Sequence, residues 1–153
     1  MAQFIHPVFN KTKDIPDSKL NNLVRQVDTE VFSKTDCLAC GNCCKSAPPI
    51  VTKKDIKRIA KYLNITAKQF ERRFVIQDIN GELSFDRIPC NFLGEDNYCS
   101  IYEVRPNACK DFPHIQSGQF NKRKKLHSIN SQMCPAASEI LNTIEEKINT
   151  LQQ

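Results

Sequence analysis

Four cysteines fall within eight residues, Cys37-Leu38-Ala39-Cys40-Gly41-Asn42-Cys43-Cys44, and four more, Cys90, Cys99, Cys109 and Cys134, follow at intervals that suit loops converging on a site rather than one helix face. Eight cysteines in 153 residues exceed what core packing asks of a chain. Any fold it adopts must therefore manage sulfur. Disulfides are one way, but Met1 to Asp14 has neither the apolar stretch nor the small-residue cleavage site of a secretory signal, and no run approaches the roughly 18 apolar residues of a membrane helix. The expected compartment is the cytoplasm, where thiols are kept reduced, so the even count argues for metal rather than cystine.

The length fits one compact domain with a real core and leaves no room for a large second lobe. Residues 1–16, with Pro7 and alternating polar residues, read as an N-terminal arm, and residues 17–153 as a single cysteine-cluster metal-binding domain. The formal net charge of +5 counts the sulfurs as neutral. Metal ligands are thiolates, so ionising all eight and adding two divalent metals brings the chain close to neutrality. The densest basic run, Lys122-Arg123-Lys124-Lys125, has no aromatic stacking pattern around it and reads as a solvated loop. Nucleic acid is not an expected partner, nor is a membrane; a protein or small molecule of unknown identity is.

Periodicity supplies the scaffold. After Pro16, Leu20, Leu23, Val24, Val27 and Val31 recur at helical spacing, with Asp17 or Ser18 as cap and an end by Thr35. The cysteine cluster follows as a loop in which Gly41 permits a tight backbone path. Thr52 caps a helix carrying Ile56, Ile59, Ala60 and Leu63 that ends at Asn64, and Thr66 with Gln69 repeats the capping pattern for a helix through about Phe74. Asn80-Gly81 between Val75–Ile79 and Glu82–Ile88 predicts a two-residue hairpin. Ser100 to Glu103 reads as a third capping box before Pro106, within an otherwise irregular region. Ile140, Leu141, Ile144, Ile148 and Leu151 mark a C-terminal amphipathic helix expected to pack on the N-terminal one. The expected fold class is α+β: a small, loop-rich metal-thiolate domain with flanking amphipathic helices and one β-hairpin.

A Cys-x2-Cys turn brings two sulfurs to one ion and frees amides to bond them. Cys37, Cys40 and Cys43 make two overlapping pairs, and Cys44 follows directly. Adjacent side chains tend to point apart, so Cys43 and Cys44 suit two neighbouring sites better than two corners of one tetrahedron. Zinc favours four sulfurs in a closed tetrahedron. Iron competes, because Cys37, Cys40 and Cys43 have the spacing of the first three ligands of a bacterial ferredoxin run, with Cys134-Pro135 as a remote Cys-Pro. Cys44 departs from that run and places zinc ahead. A single cysteine can also be a small buried apolar residue, a role open to Cys99 or Cys134.

The motifs Cys37 to Cys44, Pro89-Cys90-Asn91-Phe92-Leu93, Cys99-Ser100-Ile101-Tyr102-Glu103 and Arg105-Pro106-Asn107-Ala108-Cys109-Lys110-Asp111-Phe112-Pro113 together resemble the bacterial and archaeal CxxCxxCC cysteine-cluster family, often labelled YkgJ-like and described as a zinc- or iron-chelating domain. The resemblance implies a metal-binding domain whose cysteines are the ligands. A flagellin lysine methylase looks similar in its cysteine cluster, where an iron–sulfur centre is implicated, so a redox or protein-modification enzyme is the alternative. Cys134 lies beyond the strongest match. Lys110 stands where the family carries Arg, which weighs against a bidentate contact there.

Arg105 has three roles open to it: pairing with Glu103 or Asp111, aiming its guanidinium at thiolate to offset its charge, or clamping a substrate carboxylate. Phe92, Tyr102 and Phe112 are expected to wall the metal loops from water. His114 is a candidate replacement ligand, while His6 and His127 read as surface residues. Paired carboxylates, a hydrolase triad and a phosphate-cradling loop are all missing from the sequence, so catalysis is left open. The expected ligands are all eight cysteines, in two neighbouring four-cysteine sites holding zinc or an iron–sulfur cluster.

Overall fold

The computed structural model describes residues 4–151. It is α+β as expected, 55% helical with one two-stranded antiparallel sheet. In chain order the elements are α1 (Val8–Lys11), α2 (Asp17–Phe32), α3 (Cys37–Cys40), α4 (Asn42–Ser46), α5 (Lys53–Tyr62), α6 (Ala67–Phe74), β1 (Val75–Gln77), β2 (Leu83–Phe85), a 3-10 turn (Tyr102–Val104), α7 (Asn107–Asp111), α8 (Lys124–Met133) and α9 (Pro135–Leu151). They form two compact units, Met1–Asp36 with Pro113–Gln153, and Cys37–Phe112.

The first unit is helical. Leu20, Val24 and Val27 of α2 share an apolar core with Ile140, Leu141 and Ile144 of α9, so the two amphipathic helices pack as their periodicity predicts. Leu151 is 81% exposed and does not join the stripe. Neither Asp17 nor Ser18 caps α2: Pro16 holds that position and Asp17 opens the first turn, where its carboxylate suits the helix dipole. Part of the lead-in is also ordered. Val8 and Phe9 of α1 are buried in the same core. Polar side chains fasten this turn: Lys11 reaches Asn149 at 2.8 Å and Glu145 at 2.9 Å, and the His6 ring bonds Asn142 at 3.1 Å. His6 is therefore buried, not a surface residue.

The helix α8 lies where the sequence reads as irregular. Its buried residues are His127, Ser128 and Asn130, while Leu126 and Ile129 are exposed, so the face turned inward carries no apolar signal. Ser128 Oγ accepts the His6 amide at 2.9 Å, and Asn130 donates to the Pro113 carbonyl at 3.1 Å.

In the second unit both Thr capping boxes form. Thr52 Oγ1 accepts the Asp55 amide and Thr66 Oγ1 the Gln69 amide, each with the reciprocal side-chain bond. Asn64, with φ 56°, ends α5 in the left-handed region. The hairpin is shorter than expected and its loop has three residues. Asp78 N–H bonds Glu82 O at 2.9 Å, Gly81 N–H bonds Asp78 O at 3.0 Å, and Gly81 takes φ 84°, a type I turn closed by a left-handed glycine. Ser100 does not cap. Its hydroxyl instead donates to Phe92 O at 3.3 Å, and Ile101 precedes the 3-10 turn. The core of this unit gathers Ile56 and Ile59 of α5 with Phe70, Phe85 and Phe92, whose rings stand 5.3–6.1 Å apart. Cys90 and Cys99 pack against that core. Val75 pairs with Phe85 and Gln77 with Leu83, which sets the sheet's inner face.

Candidate metal centre

The Cys37 to Cys44 segment is two helical turns, not a loop. Cys37 and Cys40 lie on α3 and Cys43 and Cys44 on α4. Gly41 between them adopts φ 59°, which a side chain would resist, and so redirects the chain. Gly41 N–H bonds Cys37 O at 3.1 Å, and the Asn97 side chain donates to Ala39 O at 3.1 Å. The helical conformation of α4 has a consequence for sulfur: consecutive side chains are turned by about 100° instead of opposing one another. Cys43 and Cys44 therefore project about 100° apart on one short helix, and each thiol influences the other's ionisation.

The later cysteines are brought in by three separate devices. Cys90 N–H donates to Cys44 O at 2.8 Å, joining its loop to α4. Leu93 and Cys99 form an antiparallel bridge closed by Gly94 N–H to Tyr98 O at 2.8 Å. Cys109 sits in the first turn of α7, its amide bonded to Pro106 O at 2.9 Å. Arg58 of α5 fixes the approach to that turn, donating to Val104 O at 3.3 Å and Arg105 O at 2.8 Å.

The result is that Cys43, Cys44, Cys90, Cys99 and Cys109 lie within electrostatic reach of one another. Burial first raises Cys90, Cys99 and Cys109, and sulfur charge adds to it, from Cys43 on all three and from Cys90 on Cys109; Cys44 is raised by its bond to Cys43, then by burial, then by the charge of Cys43 and Cys90. Cys43 alone is lowered, to about 6, because the Cys44 thiol and the amides of Cys43 and Cys44 donate to it against the effect of burial. Cys44, as donor, is pushed far up. Burial, reinforced by neighbouring sulfurs, pushes Cys109 up to about 12. Among the described residues no three His, Cys, Asp or Glu side chains already form a cage for one ion. The arrangement is a donor set in one neighbourhood. Such a set suits a thiophilic cation, because only added positive charge lets several adjoining sulfurs ionise together.

Cys37 is exposed, and the other cysteines are partly buried thiols. Cys134 belongs to the other unit, where it packs against the apolar core and precedes α9. Its sulfur accepts the Ala137 amide at 3.4 Å, and its carbonyl accepts Ser138 N–H at 3.0 Å. Cys134-Pro135 is thus a helix cap followed by a proline at the first helical position.

Of the other candidates, Phe92 is buried in the core beside Cys90 and Cys99 as a wall residue. Arg105 pairs with neither Glu103 nor Asp111; its guanidinium lies 3.9 Å over the Tyr102 ring and donates to Tyr102 O at 2.6 Å. His127 is not on the surface: it is 0% exposed, stacked 5.4 Å from the Phe120 ring, and neither nitrogen has a hydrogen-bond partner among the described residues. Asp55 also serves this region, and its only mark in the sequence is its place as third helical residue after Thr52.

No described helix is long and apolar enough to cross a membrane. An uncharacterized protein of Methanocaldococcus jannaschii is 40% identical over 81 residues, which is 51% of this chain and 43% of that protein. The chain thus spans less than half of that relative's length. No solved structure matches it significantly. Residues 36–135 match the family described as "CxxCxxCC: Putative zinc- or iron-chelating domain", and all four sequence motifs fall inside that span. The chain belongs to the CxxCxxCC family.

Proposed function

We propose that this protein holds a metal ion or cluster on thiolates of the 37–112 unit, with Cys43, Cys90, Cys99 and Cys109 as the main donors and Cys44, Cys37 and Cys40 beside them. The observation that carries this reading is the joining of the cysteine-bearing segments: Cys90 N–H bonds Cys44 O, Leu93 N–H bonds Cys90 O and Leu93 bridges to Cys99, and Arg58 and Asp55 fix the turn that carries Cys109. Burial and neighbouring charge oppose ionisation of Cys90, Cys99 and Cys109, and a bound cation reverses that. Two four-cysteine sites would need Cys134 as eighth ligand. Its capping role accounts for it without metal, so one centre is the reading we favour.

Zinc is the first occupant we propose, with iron second. The break at Gly41 divides the ferredoxin-like triplet between two helical turns, Cys37 and Cys40 on one and Cys43 on the next. Metal and acid-labile sulfide content per chain, with an absorption spectrum on anaerobically purified protein, tests the assignment. Zinc without a visible band supports a chelating or structural centre. Iron with matching sulfide and a broad brown absorption would replace zinc and make the redox or protein-modification reading the leading one.

A further inference from the structure

The surplus of positive charge is concentrated in one helical hairpin. Residues 53–73, which span α5 and α6, hold eight Lys and Arg against two acidic residues, an excess of six, whereas the whole chain carries +5. The remainder of the chain is therefore slightly acidic. Both carboxylates of the hairpin are already engaged within it: Asp55 by Arg58 at 2.6 Å, and Glu71 by Lys53 at 2.8 Å. Lys54, Lys57, Lys61, Lys68, Arg72 and Arg73 are all exposed, and none of them forms an ion pair among the described residues.

Helix geometry places these cations together. Successive residues turn by about 100°, so with Ile56, Ile59 and Ala60 buried on one side of α5, Lys54, Lys57 and Lys61 form a row on the other. On α6, Phe70 is the buried residue, and Lys68 and Arg72 stand one turn apart on the outward side. The Lys53–Glu71 bridge joins the flanks of the two helices; Lys57 lies one turn from its lysine and Lys68 one turn from its glutamate, so both rows border one face. Reciprocal capping boxes start both helices and hold that face rigid. The pattern works against the helices themselves. Lys54 and Lys57, Lys57 and Lys61, and Lys68 and Arg72 are like charges one turn apart, and Lys53 and Lys54 occupy the positive end of the α5 dipole. Local stability gives no reason for such a face, whereas a polyanion seated on it does.

We propose that the outer face of the α5–α6 hairpin binds the phosphate backbone of duplex nucleic acid by charge, without reading its sequence. A duplex presents a negative charge about every 1.7 Å of its axis, and the lysine row rises about 10 Å from Lys54 to Lys61, enough to meet several phosphates. Tyr62 is the only large apolar residue exposed on either helix. One ring is too little for a platform that stacks unpaired bases, and the cations lack the interleaved apolar residues that seat a helix in a bilayer. The expectation against nucleic acid rested on the Lys122 to Lys125 run. In the hairpin no more than two cations are adjacent in sequence, so only the helical turn assembles them. The proposal does not depend on which metal the cysteines hold.

The test measures fluorescence anisotropy of a labelled random-sequence DNA duplex of about 20 base pairs with the full chain as purified, from about 50 to about 200 mM salt. Wild type is expected to bind at low salt and to lose about 100-fold in affinity across that range. The triple variant Lys54→Gln, Lys57→Gln, Lys61→Gln is expected to bind at least about 10-fold more weakly at low salt, with a salt slope smaller by about 3. Its melting temperature should be no lower than that of wild type, because the substitutions relieve repulsion, so a loss of binding is not a loss of fold. Lys122→Gln, Lys124→Gln, Lys125→Gln, which removes the same charge elsewhere, is expected to bind as wild type does. Absent or salt-insensitive binding by wild type would overturn the proposal. Wild-type affinity in the helix variant, or equal losses in the two triple variants, would overturn it as well, as would capture by phosphatidylserine vesicles but not by the duplex.

Discussion

The Asp55 carboxylate accepts the backbone N–H of Asn107 at 3.1 Å, so the residue that closes the capping box of α5 also fixes the turn that carries Cys109. The same carboxylate takes the Thr52 amide and hydroxyl at 2.9 and 2.7 Å and the Arg58 guanidinium at 2.6 Å, and its side chain is 1% exposed. One side chain thus couples a local helix signal to a segment about 50 residues away in sequence. The helix start is where the cysteine site is anchored.

Asp55→Asn is expected to destabilise the protein by about 3 kcal/mol, because it leaves Arg58 partly buried without its partner and weakens several donors at once. Urea unfolding measures this. Burial raises the Asp55 carboxyl, but the bonds from Thr52, Arg58 and Asn107 outweigh it and hold the carboxyl below its ordinary value. A lowered carboxyl contributes fully above the unfolded value of about 4 and is lost as pH falls below it. The stability gap between wild type and variant should therefore narrow in acid. A gap that stayed constant down to pH about 2 would show that the carboxylate charge contributes nothing.

His127 carries the opposite pH signature. Burial first, then the charges of Arg123 and His114, lower its imidazole to about 4. The unfolded chain binds a proton near pH 6.5 while the folded chain resists it, so stability falls as pH drops from about 6.5 toward 4. His127→Leu removes both unpartnered nitrogens at similar volume. It is expected to raise stability by about 1 kcal/mol at pH 7 and to flatten the decline below pH 6.5. Thermal melts across that range check both, and an unchanged slope in the variant would assign the decline to other groups.

Gly41→Ala tests the break between α3 and α4. The added Cβ would meet Asn97 atoms at 3.5 Å, which is ordinary contact, so the cost lies in the left-handed backbone at φ 59°. About 1–2 kcal/mol is expected, together with weaker metal binding as the two turns shift. Full stability in calorimetry would show that the glycine is not held for its backbone.

Cys134→Ser and Cys109→Ser separate ligand from cap. Serine is the better helix cap, so Cys134→Ser is expected to keep its metal and its stability within about 1 kcal/mol. Cys109→Ser is expected to lose most of its bound metal. Metal content of both variants decides; loss in Cys134→Ser would return it to the ligand set and revive two four-cysteine sites.

Where local chemistry and burial agreed, the sequence was readable. Leu20, Val24 and Val27 face a core, and the Thr52 and Thr66 boxes close, because nothing distant competes with them. Ser100 and Glu103 have the same spacing, yet the Leu93–Cys99 bridge brings the Phe92 carbonyl to Ser100 and that partner wins. The helix α8 escaped because its inner face is His127, Ser128 and Asn130: the last two are satisfied by distant backbone partners and His127 lies among aromatic rings, none of which periodicity encodes. The cysteines named the kind of site, but not which cysteine-bearing segments are joined. That depended on the helical turn of α4, the Cys44–Cys90 backbone bond and the hold of Asp55 on α7, all of them set by partners far along the chain.

The most direct measurement is cooperative unfolding of the anaerobically purified chain, with its metal present and after removal by a chelator, followed by near-UV circular dichroism. A thiolate centre that organises the 37–112 unit predicts stoichiometric metal, a large drop in stability on its removal, and recovery when zinc or iron is returned. A chain that carries no metal as purified, or that unfolds identically with and without it, would contradict the account.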